Sequence, residues 1–156
     1  MMYHIPVLLK EWIDGLNIRP GGIYVDVTFG GGRHSAEILS HLTSGRLFAF
    51  DQDPDASQNA LHDDRFLLIQ QNFRYFKNYL KLQGINEVDG IIADLGISSW
   101  QIDQPNRGFS TRHHGPLDMR MDQRQETDAR KLVNEYPEEK LLKVFINQFT
   151  GIGFLS

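Results

Sequence analysis

Up to about Ser99 the chain alternates short apolar runs with amphipathic segments. Residues 23–27 (IYVDV), 46–50 (RLFAF), 65–70 (RFLLIQ) and 89–94 (DGIIAD) are rich in aliphatic and aromatic side chains, and turn residues or charges bound each one. The pattern predicts four strands. Between them, residues 35–42 (SAEILSHL), 55–61 (DASQNAL) and 74–83 (RYFKNYLKLQ) have helical spacing, and Phe73, Phe76 and Leu80 can share one face. Strands separated by such helices pair in parallel through right-handed crossovers. The expected fold is an α/β doubly wound, Rossmann-like sheet. Ahead of it, residues 4–16 (HIPVLLKEWIDGL) read as an arm and an amphipathic helix, with Val7, Leu8 and Leu9 expected in the core.

The texture changes near Gly108. Residues 101–124 (QIDQPNRGFSTRHHGPLDMRMDQR) contain Gly, Pro and Arg without a clear period and read as a long loop. Helical spacing returns over 129–135 and 138–149, broken at Pro137, which suits the first turn of the second helix. Two regions are expected, 1–108 carrying the sheet and 109–156 carrying the loop and the helical start. The closing residues 150–156 (TGIGFLS) are apolar and uncapped, and they follow only four strands where doubly wound sheets usually have five or more. The sheet is expected to be incomplete and the chain truncated at its C-terminus.

Composition narrows the chemistry. Lys and Arg number 16 against 20 Asp and Glu, a net charge of −4, so any contact with nucleic acid must come from a local patch. With no Cys there is neither a disulfide framework nor a thiolate site, and the six His residues match no strong ligand spacing, so no metal is expected. Charges interrupt every apolar stretch, which leaves no signal peptide or membrane span and makes the cytoplasm the expected compartment.

The candidate chemistry lies in VDVTFGGGRHS, residues 25–35. A phosphate-binding Walker loop needs Lys and then Ser or Thr after its last glycine; Arg33 and His34 stand there instead. The dinucleotide pattern G-x-G-x-x-G fits Gly30 and Gly32, with Ser35 in place of the third glycine. A tight turn without a ligand is the alternative. Asp51 ends the second strand about twenty residues further on, where a carboxylate can accept both ribose hydroxyls; Asp51 or Asp53 could equally cap the segment that begins at Pro54. Asp26, at the tip of the first strand, would repel a pyrophosphate and suit a ligand with an ammonium and a sulfonium group. This leans towards S-adenosylmethionine over a nicotinamide dinucleotide. Asp94 ends the fourth strand and should share the crevice beyond the strands' carboxyl ends. There it could orient an exocyclic amine for attack on a methyl group, or it could simply cap a turn.

Five segments together resemble one family. Residues 4–11 (HIPVLLKE), 26–35 (DVTFGGGRHS), 51–54 (DQDP), 89–103 (DGIIADLGISSWQID) and 107–122 (RGFSTRHHGPLDMRMD) are similar, in order and spacing, to the bacterial ribosomal small-subunit methyltransferase H family. The resemblance implies S-adenosylmethionine-dependent methylation of the exocyclic N4 of a cytosine in the decoding region of 16S rRNA. It implies cofactor contacts at Gly32, Arg33, His34, Asp51, Phe73, Asp94 and Gln101, with Asp94 also the catalytic candidate. Arg33 departs from the family, which has Gly there, so its side chain must point out of the pocket. The resemblance also implies that residues 1–108 open the methyltransferase domain and that 109–156 hold a substrate loop and the start of a helical insert. A non-catalytic remnant that binds only cofactor or RNA is the alternative function.

For the small-subunit rRNA partner, Arg107, Arg112, His113, His114, Arg120 and Arg124 are expected to form a local cationic surface, flanked by Trp100 and Phe109 for stacking on an extruded base. Pairing of Asp118 and Asp122 with Arg120 and Arg124 is the structural alternative.

Overall fold

The computed structural model describes residues 8–149, with side chains through residue 146. Its four strands form one parallel sheet. β1 (Ile23–Asp26) lies between β2 (Arg46–Phe50) and β4 (Gly90–Ile92), and β3 (Phe66–Ile69) pairs with β2, giving the order β3-β2-β1-β4. Strands covered on both faces need apolar side chains at consecutive positions, and Leu47, Phe48, Ala49 and Phe50 in β2 are all fully buried.

The pleat sends alternate residues to opposite faces. Tyr24, Leu47 and Ile92 pack with Ile13 of α1 (Leu9–Leu16) and with Ile38 and Leu39 of α2 (Arg33–His41). Val25, Phe48, Phe50 and Ile69 pack instead with Leu80 of α3 (Phe76–Leu82). Helices on both faces make the sheet doubly wound, as the pattern predicts.

Several local expectations change. Leu8 is 56% exposed and takes a left-handed backbone conformation, so α1 anchors through Ile13, with Leu9, Trp12 and Leu16 partly buried; Val7 lies outside the described residues. The helix expected over 55–61 is a 3-10 helix at Pro54–Asn59. Phe76 and Leu80 face the core, whereas Phe73 begins a separate 3-10 turn and is exposed. Asn72 caps that turn, its side chain accepting from Arg74 N–H, which rotates Phe73 away from the α3 face.

The chain divides into two compact units after Ser99. In the second, α4 (Ser99–Asp103) runs in from the boundary and a 3-10 turn follows at Pro105–Arg107, where only loop is expected from sequence. α5 (Ala129–Glu135) and α6 (Glu138–Phe149) fall where the spacing predicts, with Pro137 between them. Asp128 caps α5 by accepting from Lys131 N–H at 2.6 Å. The terminal stretch 150–156 lies outside the described residues. Among the described residues no helix is long and apolar enough to cross a membrane.

Candidate functional site

The strand order reverses at β1, whose neighbours β2 and β4 leave in opposite directions; ligands of open α/β sheets bind beyond the carboxyl ends at such a point. The loop after β1 is fastened to both neighbours. Val27 N–H donates to the Ile92 carbonyl and Phe29 N–H to the Phe50 carbonyl, each at 3.0 Å. Asp26 is in register with Ala49 of β2 and Ile92 of β4, so Asp51 and Asp94 each sit two residues beyond its partners. Three acidic residues thus stand at the carboxyl ends of adjoining strands.

Asp26 is fully buried beneath the loop. Its Oδ2 accepts from Ser35 Oγ at 2.7 Å and its Oδ1 from Thr28 N–H at 3.0 Å. Burial pushes this carboxyl above its ordinary value, against the opposing pull of the Ser35 and Thr28 hydrogen bonds and of His34. Ser35, read from sequence only as a small substitute for glycine, is itself buried and joins α2 to the strand tip. Thr28, which the sequence reading passes over, accepts Asp94 N–H on its Oγ1 at 2.7 Å and so links the loops after β1 and β4. A hydroxyl residue two places after a strand-ending Asp is the available signal: the short polar side chain suits a turn bond.

Asp51 organises the other side. Its Oδ2 accepts Gly30 N–H and its Oδ1 accepts Asp53 N–H, both at 2.8 Å. Asn59 Nδ2 donates to the Gly30 carbonyl at 3.1 Å, so this glycine is held through both main-chain groups. Burial again raises the carboxyl's pKa, opposed by the Asp53 and Gly30 hydrogen bonds and assisted by the Asp53 charge. Asp53 Oδ1 accepts Asp55 N–H and caps the 3-10 helix. Asp53 is therefore the acid that caps the segment beginning at Pro54, while Asp51 tethers the Gly30 and Asp53 main chain.

Gly32 caps the start of α2 at φ +74°, and a Cβ there would lie 2.8 Å from Phe29 Cζ. Only glycine meets both demands. Arg33 and His34 open the helix, whose first-turn N–H groups have no partner within it. Arg33 is half-buried; His34 is 8% exposed, with its ring stacked on Trp12 of α1 at 5.3 Å between centroids. The imidazole therefore braces α1 against the start of α2, and His34 Nε2 is buried without a hydrogen-bond partner.

Gly32, Arg33, His34, Asp51, Phe73 and Asp94 all follow strand ends of the first unit, where Phe73 and Asp94 are exposed. Gln101 belongs to the second unit, in α4, and is buried. Residues 26–33, 51–53 and 93–98 offer Asp26, Asp51, Asp53 and Asp94 against the single cation Arg33. That donor set fits a cationic nucleoside and would oppose a diphosphate.

The loop of the second unit departs from the expected cationic surface. Arg107 is buried and donates through Nη2 to the carbonyls of Arg120 and Met121 at 3.0 and 3.3 Å. Asp118 accepts Arg120 Nε and Nη2 at 2.9 and 2.7 Å; Asp122 does the same for Arg124 at 2.8 and 2.9 Å. Each Asp also accepts the main-chain N–H of its arginine, so each Asp-x-Arg step closes on itself. Arg112, His113 and His114 are exposed. Trp100 and Phe109 are half-buried, with Phe109 beneath the Arg107 guanidinium at 5.9 Å. Among the described residues no three His, Asp or Glu side chains form a ligand set for a metal.

A parallel sheet reversing at β1, a glycine-rich loop there and acids at adjoining strand ends define a Rossmann-like domain of the methyltransferase type. The chain belongs to the MraW methylase family, whose family model matches residues 1–151. It is 60% identical over 148 residues to the ribosomal RNA small subunit methyltransferase H of Flavobacterium johnsoniae, covering 94% of this chain and 49% of that protein. The protein of the same name from Cytophaga hutchinsonii is 61% identical over 142 residues, or 90% of this chain and 48% of that one. The chain thus spans about half the length of the curated relatives it matches. A solved rRNA methylase from Streptococcus thermophilus aligns with a TM-score of 0.41 at 24% identity, over 49% of each chain.

Proposed function

We propose that the crevice at the carboxyl ends of β1, β2 and β4 binds S-adenosylmethionine for methylation of the exocyclic N4 of a cytosine in the decoding region of 16S rRNA. The observation that carries this reading is the convergence of Asp26, Asp51 and Asp94 around a glycine loop. The names of the relatives support an RNA substrate in the small subunit.

S-adenosylmethionine supplies a methyl group on a positively charged sulfur. Asp26 contributes a buried carboxyl group under the loop. Asp51 has lone pairs left after its two main-chain bonds, since a carboxylate accepts at about four sites, and these can take the ribose hydroxyls. Gly32, Arg33 and His34 offer main-chain groups at the start of α2, and Phe73 is assigned to the adenine side. Asp94 accepts an N–H of the cytosine amine and aims its lone pair, a gain mostly of orientation.

Calorimetry with S-adenosylmethionine and NAD tests the ligand; tight NAD binding without response to the methyl donor overturns the reading. Methyl incorporation into small subunits that lack the modification tests the reaction. A chain that binds donor and transfers nothing fits the non-catalytic alternative.

A further inference from the structure

Of the six cationic residues in the loop of the second unit, three are committed within it. Arg107 bonds the backbone at Arg120 and Met121, while Arg120 and Arg124 are paired with Asp118 and Asp122. Arg120 Nη1 also donates to the carbonyls of Gln123 and Gln125, at 3.3 and 2.7 Å. These groups are the frame of the loop: Asp118 and Asp122 neutralise Arg120 and Arg124, and Arg107 is bonded to the backbone.

The frame holds a projecting tip. Met119 N–H donates to the Arg107 carbonyl at 2.9 Å, and Arg130 and Ala129 N–H groups donate to Leu117 and Asp118. At the neck the backbones touch: a Cβ on Gly115 would collide with the Pro105 carbonyl, and one on Gly108 with the Pro116 carbonyl. Between these glycines the chain bends through Thr111, Arg112 and His113, with Arg112 N–H donating to Ser110 Oγ at 3.1 Å. Thr111, Arg112, His113 and His114 are all exposed, and the carboxylates nearest in sequence, Asp103 and Asp118, lie outside the tip.

We infer that Arg112, His113 and His114 form the contact through which this chain grips the phosphodiester backbone of single-stranded RNA, the frame arginines taking no part. The inference rests on the proposed rRNA substrate. Arg and His are planar: each can donate to a phosphate and stack on an unpaired base, which suits single strands better than a rigid duplex. On a chain of net charge −4 the attraction must be local, and this tip is basic without a paired acid.

The test is anisotropy of a labelled single-stranded RNA oligonucleotide across a salt series, with the full chain. Each phosphate contact contributes about 0.7 to the slope of log affinity against log salt, so raising salt from about 50 to about 200 mM costs about 2.6-fold per contact. Replacing Arg112, His113 and His114 together by Ala should flatten the slope by about 0.7–2.1, for one to three contacts, and remove roughly 3- to 18-fold of that loss. The charge-neutral pair D122N/R124Q should leave the slope as it is. The inference fails if wild-type chain does not bind the RNA, if the triple variant keeps the full slope, or if D122N/R124Q flattens it equally. Circular dichroism verifies that each variant folds. Tip-dependent RNA binding by a chain that ignores S-adenosylmethionine would sink the proposed function and leave this inference standing.

Discussion

Replacing Asp51 by Asn separates its charge from its shape. The carboxylate accepts main-chain N–H groups from Gly30 on one oxygen and from Asp53 on the other, and the Gln52 main chain adds a weaker pull. Asn has one oxygen, so its NH2 must face one of those donors and that bond is lost. A hydrogen bond to a charged group contributes about 1.5–3 kcal/mol. The whole of that loss should not reach the stability, because burial raises the Asp51 pKa despite both bonds, which makes the charge itself a net cost to the folded state at neutral pH. The neutral amide relieves that cost. D51N should therefore lose less than about 1.5 kcal/mol in urea unfolding. On the proposed reading, binding of the methyl donor has no such offset: two ribose hydroxyls would lose a charged acceptor, about 1.5–3 kcal/mol together, or roughly ten- to hundredfold in Kd. Titration calorimetry at pH 7 beside urea unfolding measures both. Unchanged donor affinity, or a stability loss above about 3 kcal/mol with affinity lost only in proportion to unfolding, would refute the reasoning.

Four further outcomes are expected. Thr28→Val keeps the shape but removes the oxygen that accepts Asp94 N–H; it should cost about 0.5–1.5 kcal/mol, or a few degrees in thermal melting, and weaken methyl transfer more than donor binding. Gly32→Ala meets both the left-handed backbone, at about 1–2 kcal/mol, and the Phe29 ring, so denaturant unfolding should reveal a loss of at least that size. Asp118 and Asp122 are held below the ordinary carboxylate value by Arg120 and Arg124, so their contribution is present above 3.8 and lost as pH falls below it; D118N/D122N should flatten that limb of the stability–pH curve. Asp26 and Asp51 act in the opposite sense, their raised values making the fold gain stability as pH falls towards 3.8, and D26N should remove part of that gain.

The sheet was legible because its strands are nearly uninterrupted apolar runs between turn residues, a pattern that buried parallel strands require. The division at Pro137 was equally plain, since proline fixes where a helix can begin. Ser99–Asp103 and the 3-10 turns were not, because one or two turns carry too little periodicity to stand out. At the crevice, spacing located Asp26, Asp51 and Asp94 at strand ends. It could not assign their hydrogen bonds: whether an Asp receives a ligand or a main-chain N–H depends on which backbone crosses above it. The loop arginines could be read either way from sequence, as a cationic surface or as partners of Asp118 and Asp122, and the pairing is what forms. Composition counts charges, whereas an Asp two residues before an Arg closes a bidentate pair that cancels both.

The stitching of Val27 to β4 and of Phe29 to β2 has a reach well beyond the crevice. Were either neighbour to slide along β1, it would pull the intervening segment out of line, even with every polar side chain intact. On the proposed reading, donor affinity becomes a gauge of sheet alignment: a cavity cut at Leu47, deep in the interior, should register there as surely as a change to the glycines.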